Sequence, residues 1–232
     1  MSKVRRVLFI DDDDIDTTID LLEINLQDKG FELIPTVLDL RDNKFKEEKS
    51  GEELLSFELI KGELKQYFDT RFDLIACDFD FKQENLNGFD VVNWLKNYAD
   101  SQKKSLRRSK FALYSSEIEK YGVAFGNKKN DDVCKLVRLG LIGFLKRELI
   151  HEEFVTHFLK EDETLDLSDF IRDELRKFPE LVFQNTYERF KGKSFEYIAN
   201  EIDLGSVHGI GFQKNIVELA VAHLVEMNQS KK

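Results

Sequence analysis

The chain has 232 residues, is 41% hydrophobic and 34% charged, and carries a net charge of −10. That composition fits a soluble globular chain, one large domain or a domain with a smaller module, and excludes a mainly disordered one. The negative balance gives no general attraction to nucleic acid or anionic lipid, and no apolar run approaches the roughly 18–20 residues of a membrane span.

Met1-Ser2-Lys3-Val4-Arg5-Arg6 leads into only four apolar residues, too few for a signal peptide. The two cysteines, Cys77 and Cys134, lie in apolar surroundings without CxxC spacing. They read as buried thiols in a reducing cytoplasm.

Val7-Leu8-Phe9-Ile10 is a short apolar strand that stops at Asp11-Asp12-Asp13-Asp14. Four adjacent carboxylates repel one another unless a cation or solvent offsets them. Ile15, Ile19, Leu22 and Leu26 recur at helical spacing, and Lys29-Gly30 ends that helix. Phe31 to Leu40 reads as a second strand, interrupted or edged by Pro35. Arg41 to Gly51 reads as a polar surface loop. Glu52 to Phe68 reads as a second helix with Leu54, Leu55, Leu59 and Leu64 inward.

Phe72 to Asp80 is an apolar run that ends abruptly in carboxylates, as a central strand of a parallel sheet would. Lys82 to Asn87 is a polar loop, and Gly88 permits a sharp turn. A third helix carries Val91, Val92, Trp94 and Leu95. Phe111 to Tyr114 is a fourth strand, followed by Ser115-Ser116-Glu117. Asp132 to Leu139 is a short helix, Ile142 to Leu145 a fifth strand, and Glu152 to Lys160 a further helix. This alternation predicts an α/β fold: a doubly wound, five-stranded parallel sheet with right-handed crossovers.

Ligands of open α/β sheets bind at the carboxyl ends of the strands. That rim receives Asp11 and Asp12 after the first strand, Asp78 after the third, Ser115 after the fourth and a basic residue after the fifth. Carboxylates with backbone carbonyls suit Mg2+. A cation there lets a carboxylate approach a phosphoryl group despite like charge, and a hydroxyl and a cationic side chain can bind the phosphoryl oxygens.

With these motifs in this order, residues 3–160 resemble the CheY-like receiver domain of two-component response regulators. The resemblance rests on Phe9-Ile10-Asp11-Asp12-Asp13, Asp73-Leu74-Ile75-Ala76-Cys77-Asp78, Asn87-Gly88-Phe89, Leu113-Tyr114-Ser115-Ser116-Glu117 and Leu139 to Leu145. It implies the flavodoxin-like strand order 2-1-3-4-5 and a receiver over residues 1–162. It implies Asp78 as the phosphoacceptor, with Mg2+ held by Asp11, Asp12, Asp78 and the backbone carbonyl of Asp80. Ser115 would be the switch hydroxyl and Phe144 the switch aromatic. A histidine kinase or phosphotransfer protein would be the partner, and the chain itself would not be an enzyme. The chain departs from the family at Arg147, where lysine is usual, and at Glu148, where proline is usual. Arginine keeps the charge but changes reach and geometry, so Arg147, or Lys146 after a one-residue shift, would bind the phosphate.

Residues 163–232 read as a small all-helical module, with helices over Leu167 to Phe178, Leu181 to Phe190, Phe195 to Ile202 and Phe212 to Met227. Lys193 to Ile202 resembles the first helix of a helix-turn-helix, with Ser194 as N-cap. Its would-be recognition segment, Ser206 to Phe212, is glycine-rich and lacks Arg and Lys. Residues 164–232 hold nine Lys and Arg against eleven Asp and Glu, a net of −2. Protein docking or homodimerisation therefore ranks ahead of DNA binding as the module's role. A transcriptional regulator and a haloacid-dehalogenase-like phosphatase, the latter suggested by Asp78-Phe79-Asp80, are the alternative readings.

Overall fold

The computed structural model describes residues 3–49, 51–83, 86–102, 105–118, 137–163, 166–184 and 187–229. The chain divides into two compact units, Met1–Glu161 and Asp162–Lys232. No helix among the described residues is long and apolar enough to cross a membrane.

The first unit is built on β1 (Lys3–Asp11), β2 (Phe31–Asp39), β5 (Leu74–Asp78), β6 (Lys110–Ser115) and β7 (Gly143–Lys146). These form one five-stranded sheet in the order β2-β1-β5-β6-β7, every pair parallel. Counting only strands of this sheet, the order is 2-1-3-4-5, the flavodoxin-like arrangement. Pro35 lies inside β2 and causes no break, because β2 is an edge strand and needs ladder bonds on one side only.

Side chains alternate across the sheet, and both faces are covered. Leu8, Ile10, Ile75, Cys77, Phe111 and Leu113 face a core closed by α2 (Phe57–Leu64) and α3 (Gly88–Gln102). Val7, Phe9, Leu74, Ala76, Ala112 and Tyr114 face the opposite core, closed by α1 (Asp16–Gln27) and α4 (Ile150–Glu163). Two-sided burial explains why β5 reads as a continuous apolar run: all five of its residues are buried.

Two readings of the sequence change. Residues 46–55 are neither loop nor helix but a hairpin, β3 (Lys46–Lys49) paired antiparallel with β4 (Glu52–Leu55). Gly51, at φ +85°, supplies the reversal. The helix starts only at Phe57, and Ile60 and Leu64 are its buried residues, while Leu59 is exposed. Leucines at 54, 55 and 59 match a helical stripe over so short a window, and strand pairing overrides that match. The helix expected from Asp132 lies largely outside the described residues; only its last turn, residues 137–139, is seen as helical.

The second unit contains α5 (Leu167–Arg176), α6 (Phe195–Asp203) and α7 (Val207–Gln229). The helix expected over Leu181–Phe190 is absent. Val182 instead bridges Ser194 in antiparallel fashion, Phe183 N–H donates to Lys193 O while Gly192 N–H donates to Phe183 O, and only Glu188–Phe190 forms a 3-10 turn. Phe183 and Phe190 both enter the module's core, so their seven-residue spacing mimics a helical stripe. The glycine-rich segment is helical as well from Val207 onward. A Cβ on Gly209 would fall 2.7 Å from the carbonyl carbon of Glu201, so this glycine lets α7 pass close to α6 rather than making a turn. Arg172 is buried and bonded to Asp169 (2.6 Å), Asp173 (2.7 Å) and Asp203 (3.1 Å), tying α5 to α6.

Candidate functional site

The carboxyl ends of β1, β5, β6 and β7 place their terminal side chains on one rim. Asp11 ends β1, fully buried, and Asp78 ends β5, 5% exposed. Arg147 begins a 3-10 turn directly after β7. Its Nη2 donates to Asp11 Oδ1 (2.6 Å), Asp11 Oδ2 (2.8 Å) and Asp78 Oδ2 (2.8 Å). Arg147 is thus the cation that reaches the site. Lys146 ends β7 in register with Ser115.

Tyr114 adds a contact that the sequence did not announce. Its buried hydroxyl donates to Asp11 Oδ2 at 2.6 Å, and the Arg147 guanidinium lies 5.6 Å from its ring centroid. Asp11 therefore has both oxygens engaged. Replacing Tyr114 with Phe is expected to cost about 1–2 kcal/mol, since a buried carboxylate oxygen loses a short bond. Chemical denaturation of both proteins at one pH measures it. The strand alternation could have flagged this residue, because Tyr114 pairs with Asp78 and points to the side of the sheet that Asp11 borders.

The four-carboxylate run is held by cations and backbone groups from elsewhere. Asp13 N–H donates to Asp11 Oδ1 (2.8 Å), and Asp16 N–H donates to Asp14 Oδ1 (2.9 Å) at the start of α1. Lys82, in the left-handed region at φ +54°, pairs with Asp13, and Arg41 approaches Asp14 at 3.8 Å. Asp80 N–H points to Asp78 Oδ1 at 3.4 Å, and the Asp80 side chain accepts from the Lys82 backbone at 3.1 Å.

One carboxylate oxygen from each of Asp11, Asp12 and Asp78 lies within 4.8 Å of the other two. Asp12 Oδ1 is buried and has no hydrogen-bond partner. An orphaned anionic oxygen beside two more is a donor set that fits a hard divalent cation such as Mg2+. The electrostatics agree. Burial, reinforced by Asp11 and opposed by Arg147, pushes the Asp78 carboxyl up to about 7. Burial, opposed by Lys82 and reinforced by Asp13 and Asp11, lifts Asp12 to about 6. In both, burial outweighs the cation nearby, Arg147 at Asp78 and Lys82 at Asp12.

Ser115 is buried at the end of β6, one residue beyond the position paired with Asp78, and its Oγ accepts from Glu117 N–H at 3.0 Å. Phe144 lies on the α2–α3 side of the sheet, its ring 5.1 Å from that of Phe79. Phe79 directly follows Asp78, so Phe144 touches the loop that follows Asp78.

Gly88 does not make a turn; it opens α3 against the end of β5. Its N–H donates to Phe79 O at 3.0 Å. A methyl there would collide with the Asp78 carbonyl oxygen and lie 2.8 Å from that carbonyl carbon and 3.0 Å from Cys77 Sγ. Backbone cannot yield as a side chain does. Gly88→Ala is therefore expected to lose about 3 kcal/mol, the upper part of the overpacking range, seen as a lowered melting temperature. An unchanged melt would show that α3 is free to shift.

Sheet order and rim chemistry decide the architecture. The first unit has the flavodoxin-like, doubly wound fold. No family model matches the chain, and no curated protein does. Among solved structures, the chain is similar to a chemotaxis response regulator of Vibrio cholerae, at 18% identity over 68% of this chain and 98% of that one, with a TM-score of 0.36. It is also similar to a response regulator from Thermotoga maritima, at 13% identity over 69% and 99% of the two chains, TM-score 0.38. A third likeness is to a response regulator protein solved in complex with a histidine kinase, at 14% identity over 67% and 97%, TM-score 0.36. The carboxyl ends of the parallel strands account for the rim placement of Asp11, Asp12, Asp78, Ser115 and Arg147.

Proposed function

We propose that the chain is a two-component response regulator whose first unit accepts a phosphoryl group on Asp78. The observation that carries this reading is the shared contact of one cation, Arg147, with Asp11 and Asp78 beside the unpartnered oxygen of Asp12. A carboxylate nucleophile, a cation that can follow the charge and an oxygen donor set for a divalent metal are the parts that phosphoryl transfer uses.

Asp11, Asp12 and Asp78, with the Asp80 carbonyl, would hold Mg2+. When bound, the ion neutralises the charge that builds on the transferring phosphoryl group. An Asp78 carboxylate oxygen attacks phosphorus of a phosphohistidine on a kinase or phosphotransfer partner. The P–N bond breaks, the imidazole keeps the electron pair and takes a proton, and Asp78 becomes an acyl phosphate. Arg147 then has a doubly charged neighbour in place of the Asp78 carboxylate and transfers its bonds to the phosphoryl oxygens. Ser115 turns its hydroxyl from the Glu117 backbone toward the same oxygens. Phe144, packed on Phe79, moves with the loop that follows Asp78. The added charge thereby changes the surface around β6 and β7. The helical module, residues 163–232, serves as the output by docking a protein partner. Its net charge and the single lysine on the described first turns of α7 favour this over DNA.

Acetyl phosphate with Mg2+ replaces the unknown kinase in the test. Intact-mass measurement is expected to find one phosphoryl adduct on the full chain, dependent on Mg2+, and none on Asp78→Ala. An adduct that survives in Asp78→Ala would remove the assignment.

A further inference from the structure

Asp11 is fully buried, and its two oxygens hold two kinds of partner. One kind is free to leave. Arg147 stands on the 3-10 turn after β7 with its side chain 16% exposed, and its Nη2 divides its bonds between Asp11 and Asp78. The other kind is fixed. Asp11 Oδ1 accepts the Asp13 N–H at 2.8 Å, and Oδ2 accepts the Tyr114 hydroxyl at 2.6 Å. Tyr114 is fully buried in β6, a strand paired on both sides, and its ring lies in the core closed by α1 and α4. Its carbonyl accepts the Phe79 N–H at 2.8 Å, so the same residue also holds the chain directly after Asp78.

We propose that Tyr114 is a positioning residue for phosphoryl transfer: its hydroxyl holds Asp11 in place while Arg147 moves from Asp11 to the phosphoryl oxygens, a role that rests on Asp78 being the acceptor. In the resting chain Asp11 Oδ2 has two donors, so the phenol shares that oxygen with the guanidinium. Once Arg147 has turned to the phosphoryl group, the phenol is, among the described residues, the donor left on Oδ2. A buried carboxylate oxygen with no donor carries its full desolvation penalty, which exceeds the net worth of one bond among several. The hydroxyl therefore contributes more after the exchange than before it, and it favours the phosphorylated arrangement over the resting one. Without it, Asp11 retains Arg147 or turns toward another donor. Either disturbs the oxygen that Asp11 shares with Asp12 and Asp78 as a donor set for a divalent cation. A phenol suits this place because it donates without a positive charge. It steadies Asp11 and leaves intact the negative charge that a metal ion needs.

Calorimetric titration of the full chain with beryllofluoride at fixed Mg2+ tests it, since beryllofluoride seats on a carboxylate as a phosphoryl group does. Tyr114→Phe keeps the ring, its packing and its face toward the Arg147 guanidinium, and removes the hydroxyl alone. Its beryllofluoride affinity is expected to fall about tenfold, the size of one lost bond to a charged group. The rise in melting temperature that Mg2+ with beryllofluoride gives the wild-type chain is expected to shrink in the variant accordingly. A hydroxyl that serves structure alone lowers the urea midpoint of the bare chain and leaves the affinity unmoved, and that result overturns the proposal. A wild-type chain that binds no beryllofluoride overturns the role of Asp78 and that of Tyr114 with it. Wild-type binding matched by Tyr114→Phe overturns the role of Tyr114 alone.

Discussion

Asp78→Asn is expected to abolish phosphoryl incorporation and at the same time to stabilise the metal-free protein at pH 8 by about 2–4 kcal/mol. The first effect follows from losing the nucleophile. The second follows from the environment. Burial and Asp11 raise the Asp78 carboxyl to about 7 from an ordinary value of 3.8. Each unit of such a shift corresponds to about 1.4 kcal/mol between protonation states. A carboxyl raised in the folded state favours folding below its unfolded value and loses that contribution as pH rises through the folded value. At pH 8 the folded wild-type chain carries an ionised, buried carboxylate, whereas asparagine carries no charge and still accepts from Arg147. The gain should therefore shrink as pH falls from 8 toward 4, where Asp78 is neutral. Urea melts of both proteins in chelator at several pH values measure it. A stability difference independent of pH would show that the Asp78 environment does not penalise its charge.

Arg147→Met is expected to act in the opposite direction and with similar size. Asp11 is fully buried, and Arg147 bonds to both of its oxygens. Removing one partner of a buried pair typically costs about 3–5 kcal/mol, because the other charge stays behind. The metal-free variant should lose that much in a urea melt. Millimolar Mg2+ should then raise the melting temperature more in the variant than in the wild type. The reason is competition: Arg147 and a divalent cation draw on the same oxygens of Asp11 and Asp78. Equal responses to Mg2+ in the two proteins would show that the guanidinium and the metal occupy separate places. Arg147→Lys separates charge from geometry. Lysine restores the charge on one nitrogen, as Nη2 alone bridges the two carboxylates here, but at a different reach.

The residues expected at the rim were legible because strand ends are marked in the sequence. Val7 to Ile10 and Leu74 to Cys77 are apolar runs cut off by aspartate, and β-strands buried on both faces leave no other pattern. Ser115 was legible for the same reason, and so was a cation after the last strand, though not which of Lys146 and Arg147. Tyr114 was not, since a tyrosine inside an apolar strand looks like core until its hydroxyl is seen to reach Asp11. Lys82 was not, since its pairing with Asp13 joins two loops far apart in the chain. Gly88 was noticed for the wrong reason: a glycine looks the same whether it turns the chain or admits a neighbouring carbonyl.

The local errors share one cause. Leu54 and Leu55, read with Leu59, and likewise Phe183 with Phe190, recur at spacings that suit a helix, yet antiparallel pairing claimed Leu54, Leu55 and the backbone at Val182 and Phe183. Short apolar patterns cannot separate the two outcomes, because the deciding bonds come from distant backbone. By itself the amino-acid order determined the alternation of strands and helices, the sheet's two-sided burial and the identity of its acidic rim. Those depend on local periodicity and on where apolar runs stop. Only the tertiary structure decided that Arg147 rather than Lys146 bridges Asp11 and Asp78, and that the glycines of 206–212 lie within a helix. It also decided that the last half of α7 is left uncovered. Each of these rests on side chains or backbone brought together from distant positions, where packing and charge act through space and not along the chain.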